Sequence, residues 1–557
     1  MKNFGTILIS LLVGVVFSHC GKKSSGTLTP PTTPVNFGIN SSSVNTITSQ
    51  TIYYDINRNP SIRFSFPTVI NRASASGSIV LKDNAGNAIG YDLSFEKADS
   101  VLIIRPSQPL NYLSRYNVSV STQLKSINGG NLNNSGQVIF QTSIDSSNKF
   151  PVISDDALLT LVQKQTFKYF WDLAHPVSGL ARERNNSGDL VTSGGSGFGI
   201  MAIVTAIHRN FITRAEGLTR MQKIVGFLKN NAQKFHGAFP HWLNGATGAV
   251  IPFSTKDDGA DLVETSYLMQ GLLTARQYFN GADVSETGFR ADVNALFNAV
   301  EWNFFRKSGE NVLYWHWSST YNWDMNHKIQ GWNECLITYV LAASSPGYSI
   351  PKTVYDNGWA SNGAIKNNNF YFGIQLPLGP DHGGPLFFAH YSFLGINPTN
   401  LTDAYANYWT QNRNHTLINY NYSISNPKKH FGYSDAVWGL TASDIAGGYT
   451  ASSPTNDVGV IAPTAALSSI PYTPVESMKA MKFFYYVLGD KLWGDYGFKD
   501  AFSLKDIWFA DSYLAIDQGP ILVMIENYRS GLLWNLFTSS PEVKTGMVSL
   551  GFSAPYL

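Results

Sequence analysis

The 557-residue sequence predicts a multi-domain fold in which an N-terminal all-β sandwich precedes an all-α (α/α)6 toroid. Three observations carry this. Between Val35 and Ser147 apolar residues recur with period two in short runs parted by turn signals, as half-buried strands do. Beyond Ser147 the period lengthens, and about twelve helical stretches, some apolar all round, alternate with long loops. That alternation suits six helical hairpins closed into a ring, with an irregular solenoid as the alternative. All 13 Trp stand at or after Trp171, so composition changes where the period does. The expected divisions are a leader over 1–20, a linker over 21–34, the sandwich over 35–147 and the helical domain over 148–557.

Met1 to Phe17 opens with Lys2 and carries an apolar run from Ile7 to Phe17, the outline of an export signal. A spanning helix would need about 20 apolar residues. Ser18-His19-Cys20-Gly21, followed by Lys22, Lys23 and a Ser/Thr/Pro-rich tether, resembles a bacterial lipoprotein processing site, with His19 where a small residue is usual. The resemblance implies lipidation at Cys20 and a membrane anchor in the periplasm or at the surface of a Gram-negative bacterium. A plainly cleaved signal is the alternative. Cys20 and Cys335 are placed too differently for a disulfide framework.

The expected strands are Thr51 to Ile56, Ile62 to Phe66, Ser78 to Lys82, Tyr91 to Phe95, Val101 to Ile104, Tyr116 to Ser121 and Val138 to Thr142, with turns such as Asp83-Asn84-Ala85-Gly86-Asn87 between them. Runs this short and this closely spaced suit an antiparallel sandwich. Asn59-Pro60 before the second strand, Arg105-Pro106 after the fifth and the segment from Leu110 resemble bacterial Ig-like domains, which implies a spacer or adhesion module.

Helices are expected over Asp155 to Leu173, Gly199 to Arg209, Ala215 to Ala232, Asp261 to Phe279, Val293 to Phe305, Gln330 to Ala343, Pro385 to Leu394, Leu401 to Thr410, Ser434 to Ser443, Val475 to Leu488, Gln518 to Tyr528 and Ser530 to Phe537. The long links between them are rich in Gly, Asn, Trp and Tyr, and ordered loops of that length usually carry function. Net charge is +2 and no basic run could track a phosphate backbone, so nucleic acid is not an expected partner. No His-x-x-x-His or Cys-x-x-Cys pair occurs, and Gly194-Gly195-Ser196-Gly197 lacks the Lys-Ser/Thr of a phosphate loop, so no metal or cofactor is expected.

One stretch stands out, Asp257-Asp258-Gly259-Ala260-Asp261-Leu262-Val263-Glu264. The spacing of Asp261 and Glu264 puts two carboxylates one turn apart on a helix that is otherwise apolar nearly all round. Helix capping by Asp257 and Asp258 accounts for the acids before the helix but leaves Glu264 unexplained. Glu334 opens another apolar helix, and Asp517 stands where an N-cap would be. Carboxyls among aromatic residues acquire separated pKa values, which glycoside hydrolysis needs for its acid and its base. Trp315, Trp332, Trp438 and Trp508 are candidates to stack on sugar rings.

The segments Gly179-Leu180-Ala181-Arg182-Glu183-Arg184, Gly195-Ser196-Gly197-Phe198-Gly199, Asp261-Leu262-Val263-Glu264-Thr265, Gly331-Trp332-Asn333-Glu334, Asp381-His382-Gly383-Gly384-Pro385-Leu386-Phe387, Tyr433-Ser434-Asp435-Ala436-Val437-Trp438-Gly439-Leu440-Thr441-Ala442-Ser443-Asp444 and Ile516-Asp517-Gln518-Gly519-Pro520 with Glu526-Asn527-Tyr528 together resemble the bacterial glucoamylase-like family, glycoside hydrolase family 144, over about residues 150–557. The resemblance implies action on β-1,2-glucan or its oligosaccharides by inversion, on an (α/α)6 toroid, without a metal. It makes Glu334 the general acid and Asp517 the general base, with Asp261, Glu264 and Asp257 around the scissile bond. Arg182, Arg184, His316, His382, Tyr433 and Asp435 become hydroxyl-binding candidates. The expected partner is a glucan chain, bound by a monomer. The alternatives are a polysaccharide lyase using Tyr433, His382 and Arg182, and a non-catalytic glycan-binding protein.

Overall fold

A computed structural model describes residues 33–557. The expected leader, Cys20 and most of the linker fall outside the described residues. The chain divides into two compact units, the first ending at Ser143 and the second running Ile144–Leu557.

The first unit is a two-sheet sandwich. Its strands in chain order are β1 (Ser41–Val44), β2 (Ile47–Thr48), β3 (Tyr53–Ile56), β4 (Ile62–Ser65), β5 (Ile79–Asp83), β6 (Tyr91–Glu96), β7 (Val101–Pro106), β8 (Arg115–Val120) and β9 (Gly136–Thr142), with a helical turn α1 (Arg72–Ala75) before β5. One sheet has the order β2-β1-β4-β7-β6 and the other β3-β9-β8-β5. Alternate residues such as Ile62, Phe64, Tyr116, Val118 and Phe140 point between the sheets and are buried. The expected antiparallel pairing holds except between β3 and β9, which run parallel. β3 leaves the sheet of its chain neighbours and meets the last strand with no hairpin between them, so nothing imposes the antiparallel sense.

The second unit contains α2 (Asp155–Trp171), α3 (Ser193–His208), α4 (Arg214–Asn230), α5 (Leu262–Tyr278), α6 (Val284–Asn298), α7 (Leu336–Ser344), α8 (Lys352–Val354), α9 (Tyr408–Ser425), α10 (Pro463–Leu467), α11 (Pro474–Lys482), α12 (Gly489–Leu492), α13 (Ala515–Ser530), α14 (Leu532–Thr538) and α15 (Pro541–Leu550). α3 packs against α2, α5 and α13 and is buried from Ser193 to Ile207. Its first turns hold four glycines, each costing about 1 kcal/mol of intrinsic helix propensity. Close packing explains them. A Cβ on Gly197 would lie 2.1 Å from the Tyr267 carbonyl oxygen, one on Gly199 would meet the Phe170 ring, and one on Gly195 would strike Ala515. The helix therefore begins at Ser193, six residues before the expected start, because contacts from three other helices replace local propensity.

Other expectations are corrected in the same way. α7 begins at Leu336 rather than Gln330, so Glu334 lies in the irregular chain before it and not in a helical turn. Leu401 to Thr410 and Ser434 to Ser443 are not helices. The helix there is α9, capped by Asn407, and Ala442–Ile445 pairs as a hairpin with Gly448–Ala451. α9 reads TyrTrpThrGlnAsnArgAsn and lacks an apolar period. Its buried face is built from amides and a histidine that bond to neighbouring backbone, Gln411 to Leu378, His415 to the Gly384 carbonyl and Asn419 to Leu440. At the far end of α3, Arg209 grips the buried Glu526 of α13 through two bonds of 2.7 and 2.9 Å, and Gln163 and Ser530 donate to the same carboxylate.

Candidate active site

The acids collect at the N-terminal ends of the buried helices, where unpaired backbone N–H groups and the helix dipoles favour negative charge. Asp261 is the N-cap of α5. Its Oδ1 accepts from the backbone N–H of Val263 and Glu264 at 3.0 and 2.9 Å, while Oδ2 faces His241 Nδ1 at 2.9 Å. Capping thus falls to Asp261, not to Asp257 or Asp258. Glu264, one turn on, accepts from Gly194 N–H at 2.7 Å and from Thr192 Oγ1 at 3.1 Å, so the start of α3 holds it. Gly194 leaves the space that this carboxylate fills.

The charges around this corner are strongly unequal. Burial works against a charge on His241, but Glu264, Asp261 and Asp257 raise it to about 9. Burial lowers His316 to about 4, leaving it neutral 3.4 Å from Asp257 Oδ2. Burial and then the neighbouring Asp261 push Asp257 up to about 7, and its Oδ1 is buried without a protein partner. Trp315 stacks on His316 and His327, with ring centres 5.7 and 5.0 Å away, and stays half-exposed. His241, Asp257 and Asp261 bring donor atoms within 4.8 Å of one another, a spacing that could also hold a divalent cation.

Glu334 is tied down through its backbone. Its carbonyl accepts from Ser392 Oγ and, at 3.4 Å, from Tyr267 OH, and Ser392 Oγ in turn accepts from the Ile337 N–H of α7. The residue is half-buried, yet its carboxyl is set deep enough that loss of water, reinforced by Asp261 and Glu264, raises it to about 7. Phe198, Tyr267 and Tyr391 form a three-ring floor with centres 5.3 to 5.7 Å apart. The phenol of Tyr391 is held protonated by burial and then by Asp517, Tyr449, Glu334 and Glu264 together, so acids from three distant segments act on one ring.

Asp517 lies in the third position of α13 and is not its N-cap, which is Leu514. Its backbone carbonyl accepts from Thr464 at 2.9 Å. Its side chain meets that of Asp500, whose Oδ2 accepts from the Asp444 N–H at 2.7 Å. Burial raises Asp500 to about 7 and, joined by the Asp500 carboxyl, pushes Asp517 well above the carboxylate range, so the two do not both carry a charge near neutrality, and Asp500 Oδ1 and Asp517 Oδ2 are buried without a protein partner. Arg184 pairs with Glu183 at 2.9 Å and Asp444 at 3.2 Å beside them. A cavity of about 670 Å³ opens here, lined among others by Arg184, Asp444, Tyr449 and Trp508.

Several predicted residues stand elsewhere. Trp438 is fully buried, packed edge-on against Tyr420, and Trp332 is buried against Trp359, Phe393 and Tyr408, so both are core and not sugar platforms. Tyr433 donates to Asp457 at 2.7 Å, and His382 packs on Tyr371 and Tyr422. Neither contacts the acids, which removes the base of the lyase reading. The Arg182 carbonyl accepts from Tyr169 OH at 2.8 Å, and its Nε is buried without a protein partner. Asp435 is half-exposed and paired with Lys479 on the surface. Such pairs contribute about 0–1 kcal/mol, so Asp435→Ala is expected to change kcat/KM less than twofold and leave the melting temperature within a degree or two. His241, Asp500, Asp444, Glu183, Tyr391 and Tyr449 escaped the sequence reading. The only signal for some of them was the motif they share with Arg184 or with Trp438.

Comparison with known proteins shows the family to which this chain belongs. Residues 326–541 match the family described as "Putative glucoamylase", and residues 32–142 match the bacterial Ig-like domain. The chain is 53% identical to an endo-β-1,2-glucanase from Chitinophaga pinensis whose structure holds sophorotriose and glucose, covering 73% of this chain and 100% of that one with a TM-score of 0.71. A β-1,2-glucanase structure from Parabacteroides distasonis is 36% identical over 94% of this chain and 74% of that one, with a TM-score of 0.70. An exo β-1,2-glucooligosaccharide sophorohydrolase from the same species is 47% identical over 424 residues, 72% of this chain, which spans 58% of that relative's length. The chain therefore belongs to the bacterial glucoamylase-like family of the β-1,2-glucanase type, glycoside hydrolase family 144, with a bacterial Ig-like domain ahead of it.

Proposed function

We propose that the protein hydrolyses β-glucan, with β-1,2-glucan or sophoro-oligosaccharides as substrate, by an inverting acid/base mechanism on an (α/α)6 ring. The observation that carries the reading is the convergence of acids from distant segments: Gly194 of α3 holds Glu264, Gly195 abuts Ala515 two residues before Asp517, and Tyr267, three residues after Glu264, bonds the Glu334 carbonyl. Ring closure is supported by α13, near the chain's end, packing on α2 and α3 and sharing Glu526 with Gln163 and Arg209. Glu334, carrying a proton up to about pH 7, is the general acid: its proton passes to the glycosidic oxygen as the bond to the anomeric carbon breaks. The Asp517–Asp500 pair carries one negative charge near neutrality, with the proton held more strongly on the Asp517 side, and this pair is the base that takes the proton of the attacking water. Asp261 and Glu264, with Asp257, His241 and Arg184, orient hydroxyls, and Trp315 and Trp508 cover apolar ring faces. The protein is exported and lipid-anchored at Cys20, a reading supported by its first twenty residues.

The experiment is incubation with linear β-1,2-, β-1,3-, β-1,4- and α-linked glucans, with products resolved by size over time. Release of sophoro-oligosaccharides from the β-1,2 polymer alone is expected. Early mid-length products would mark internal cleavage, steady disaccharide release cleavage from an end, and no product from β-1,2-glucan would refute the reading. Because Glu334 must be protonated, kcat/KM is expected to fall as pH rises above about 7. Stability should move the same way. Asp257, Glu334 and Asp500 are each raised to about 7, so their protonated forms favour the folded state at low pH, and that contribution is lost as pH rises from the unfolded carboxyl value through 7. A melting temperature that climbed steadily between pH 5 and 8 would contradict these shifts.

A further inference from the structure

Residues 366–379 form a small hairpin in which strands Phe370–Tyr371 and Ile374–Gln375 pair with Phe370 opposite Gln375 and Tyr371 opposite Ile374. The two residues between them, Phe372 and Gly373, have φ of 53° and 76°. Two positive φ values make a type I′ turn, whose first central position favours Asn, Asp or Gly. A bulky aromatic there is an outlier. Burial does not compensate for it, since Phe372 is 43% exposed and Phe370 68%. Among the described residues the Phe372 ring meets only that of His382, with centres 6.1 Å apart, and a local rule broken for so little packing points to function.

The hairpin is firmly held. Tyr371 donates to Asp381 Oδ1 at 2.8 Å and lies over His382, and Asn367 Nδ2 donates to the Gly379 carbonyl at 2.8 Å. Gly379 lies flat against Trp332, with room for no Cβ, and Trp332 is two residues before Glu334. The aromatic tip is thus continuous with the loop that carries the proposed acid. From Asn367 to Leu378 there is no charged residue, and Asn368, Asn369 and Gln375 are exposed beside the rings. Apolar faces flanked by amides, which both donate and accept, match a neutral sugar. They carry no charge to pair with a phosphate or an ionic partner.

We propose that Phe370 and Phe372 form an arm that stacks on glucose units of a long glucan outside the catalytic cleft, setting a preference for polymer over short oligosaccharide. The proposal rests on the glucanase reading above. Phe372→Asn installs the residue the turn favours, so its melting temperature should hold or rise. With Phe370→Ala added, KM for long β-1,2-glucan is expected to increase roughly three- to tenfold at unchanged kcat, while kinetics on sophorotetraose stay as in the wild type. Unchanged KM on the polymer, or an equal rise on both substrates, would overturn the arm. If the wild type cleaves no β-1,2-glucan, the glucanase reading fails, and the arm is judged by electrophoresis through gels cast with that polymer. Retardation lost in the double variant supports it, and equal retardation overturns it. A wild-type dimer that the double variant converts to monomer in sedimentation would assign the patch to a second copy of the chain and also overturn it.

Discussion

Glu334→Gln is expected to lower kcat on β-1,2-glucan by about 10²- to 10⁴-fold, the usual worth of a positioned general acid, which corresponds to roughly 3–5 kcal/mol of transition-state stabilisation. The fold should survive, because Glu334 is held by its carbonyl through Ser392 and Tyr267 and not by its carboxyl. Removing a buried carboxyl that is neutral at low pH and costly to ionise should even stabilise the variant above pH 7, where the wild type must carry the charge. Melting curves and oligosaccharide binding at pH 5 and 8, run beside the kinetics, separate loss of chemistry from loss of structure. Turnover within tenfold of the wild type would remove Glu334 from the acid role.

Arg209→Ala is expected to cost about 3–5 kcal/mol of stability, since breaking a buried ion pair from one side strands a charge. Glu526 is fully buried. Burial drives its carboxyl upward, and bonds from Arg209, Ser530 and Gln163 hold it below the ordinary value. In the wild type that contribution is present above the unfolded carboxyl pKa, about 4.3, and is lost as pH falls. Without Arg209 burial prevails and the sign reverses, so the variant weakens as pH rises through the new value. The gap in melting temperature should therefore be small near pH 4 and wide at pH 8. The double substitution Arg209→Met with Glu526→Met should recover part of the loss, because an apolar pair avoids the stranded charge. A gap independent of pH would show that lost packing, not charge, is responsible.

Glu264, among the site acids, and Glu526 sit at opposite ends of α3. Some 24 Å of α3, at about 1.5 Å per residue, separates Thr192 beside Glu264 from Arg209 on Glu526. The glycines near the start of α3 let α2, α5 and α13 close on it. The bond network at the far end ties α13 to α2 and α3. Stability at one end and proton chemistry at the other are thereby joined by rigid, buried rods.

What the amino-acid sequence alone determined is what depends on neighbours along the chain. The seven expected strands coincide with β3 to β9, and the helices at α2, α4, α5 and α13 follow from period, caps and apolar faces. The acids Asp261, Glu264, Glu334 and Asp517 were conspicuous because each interrupts an apolar segment. Only the tertiary structure decided that Asp517 lies beside Asp500, that His241 bonds Asp261 and is raised by the acids around it, that Trp332 and Trp438 are core, and that glycine-rich chain from Ser193 is helix. Those outcomes turn on burial and on charges brought together from segments tens to hundreds of residues apart. Hydration loss and Coulomb interaction depend on distance in space, which no local pattern of residues encodes.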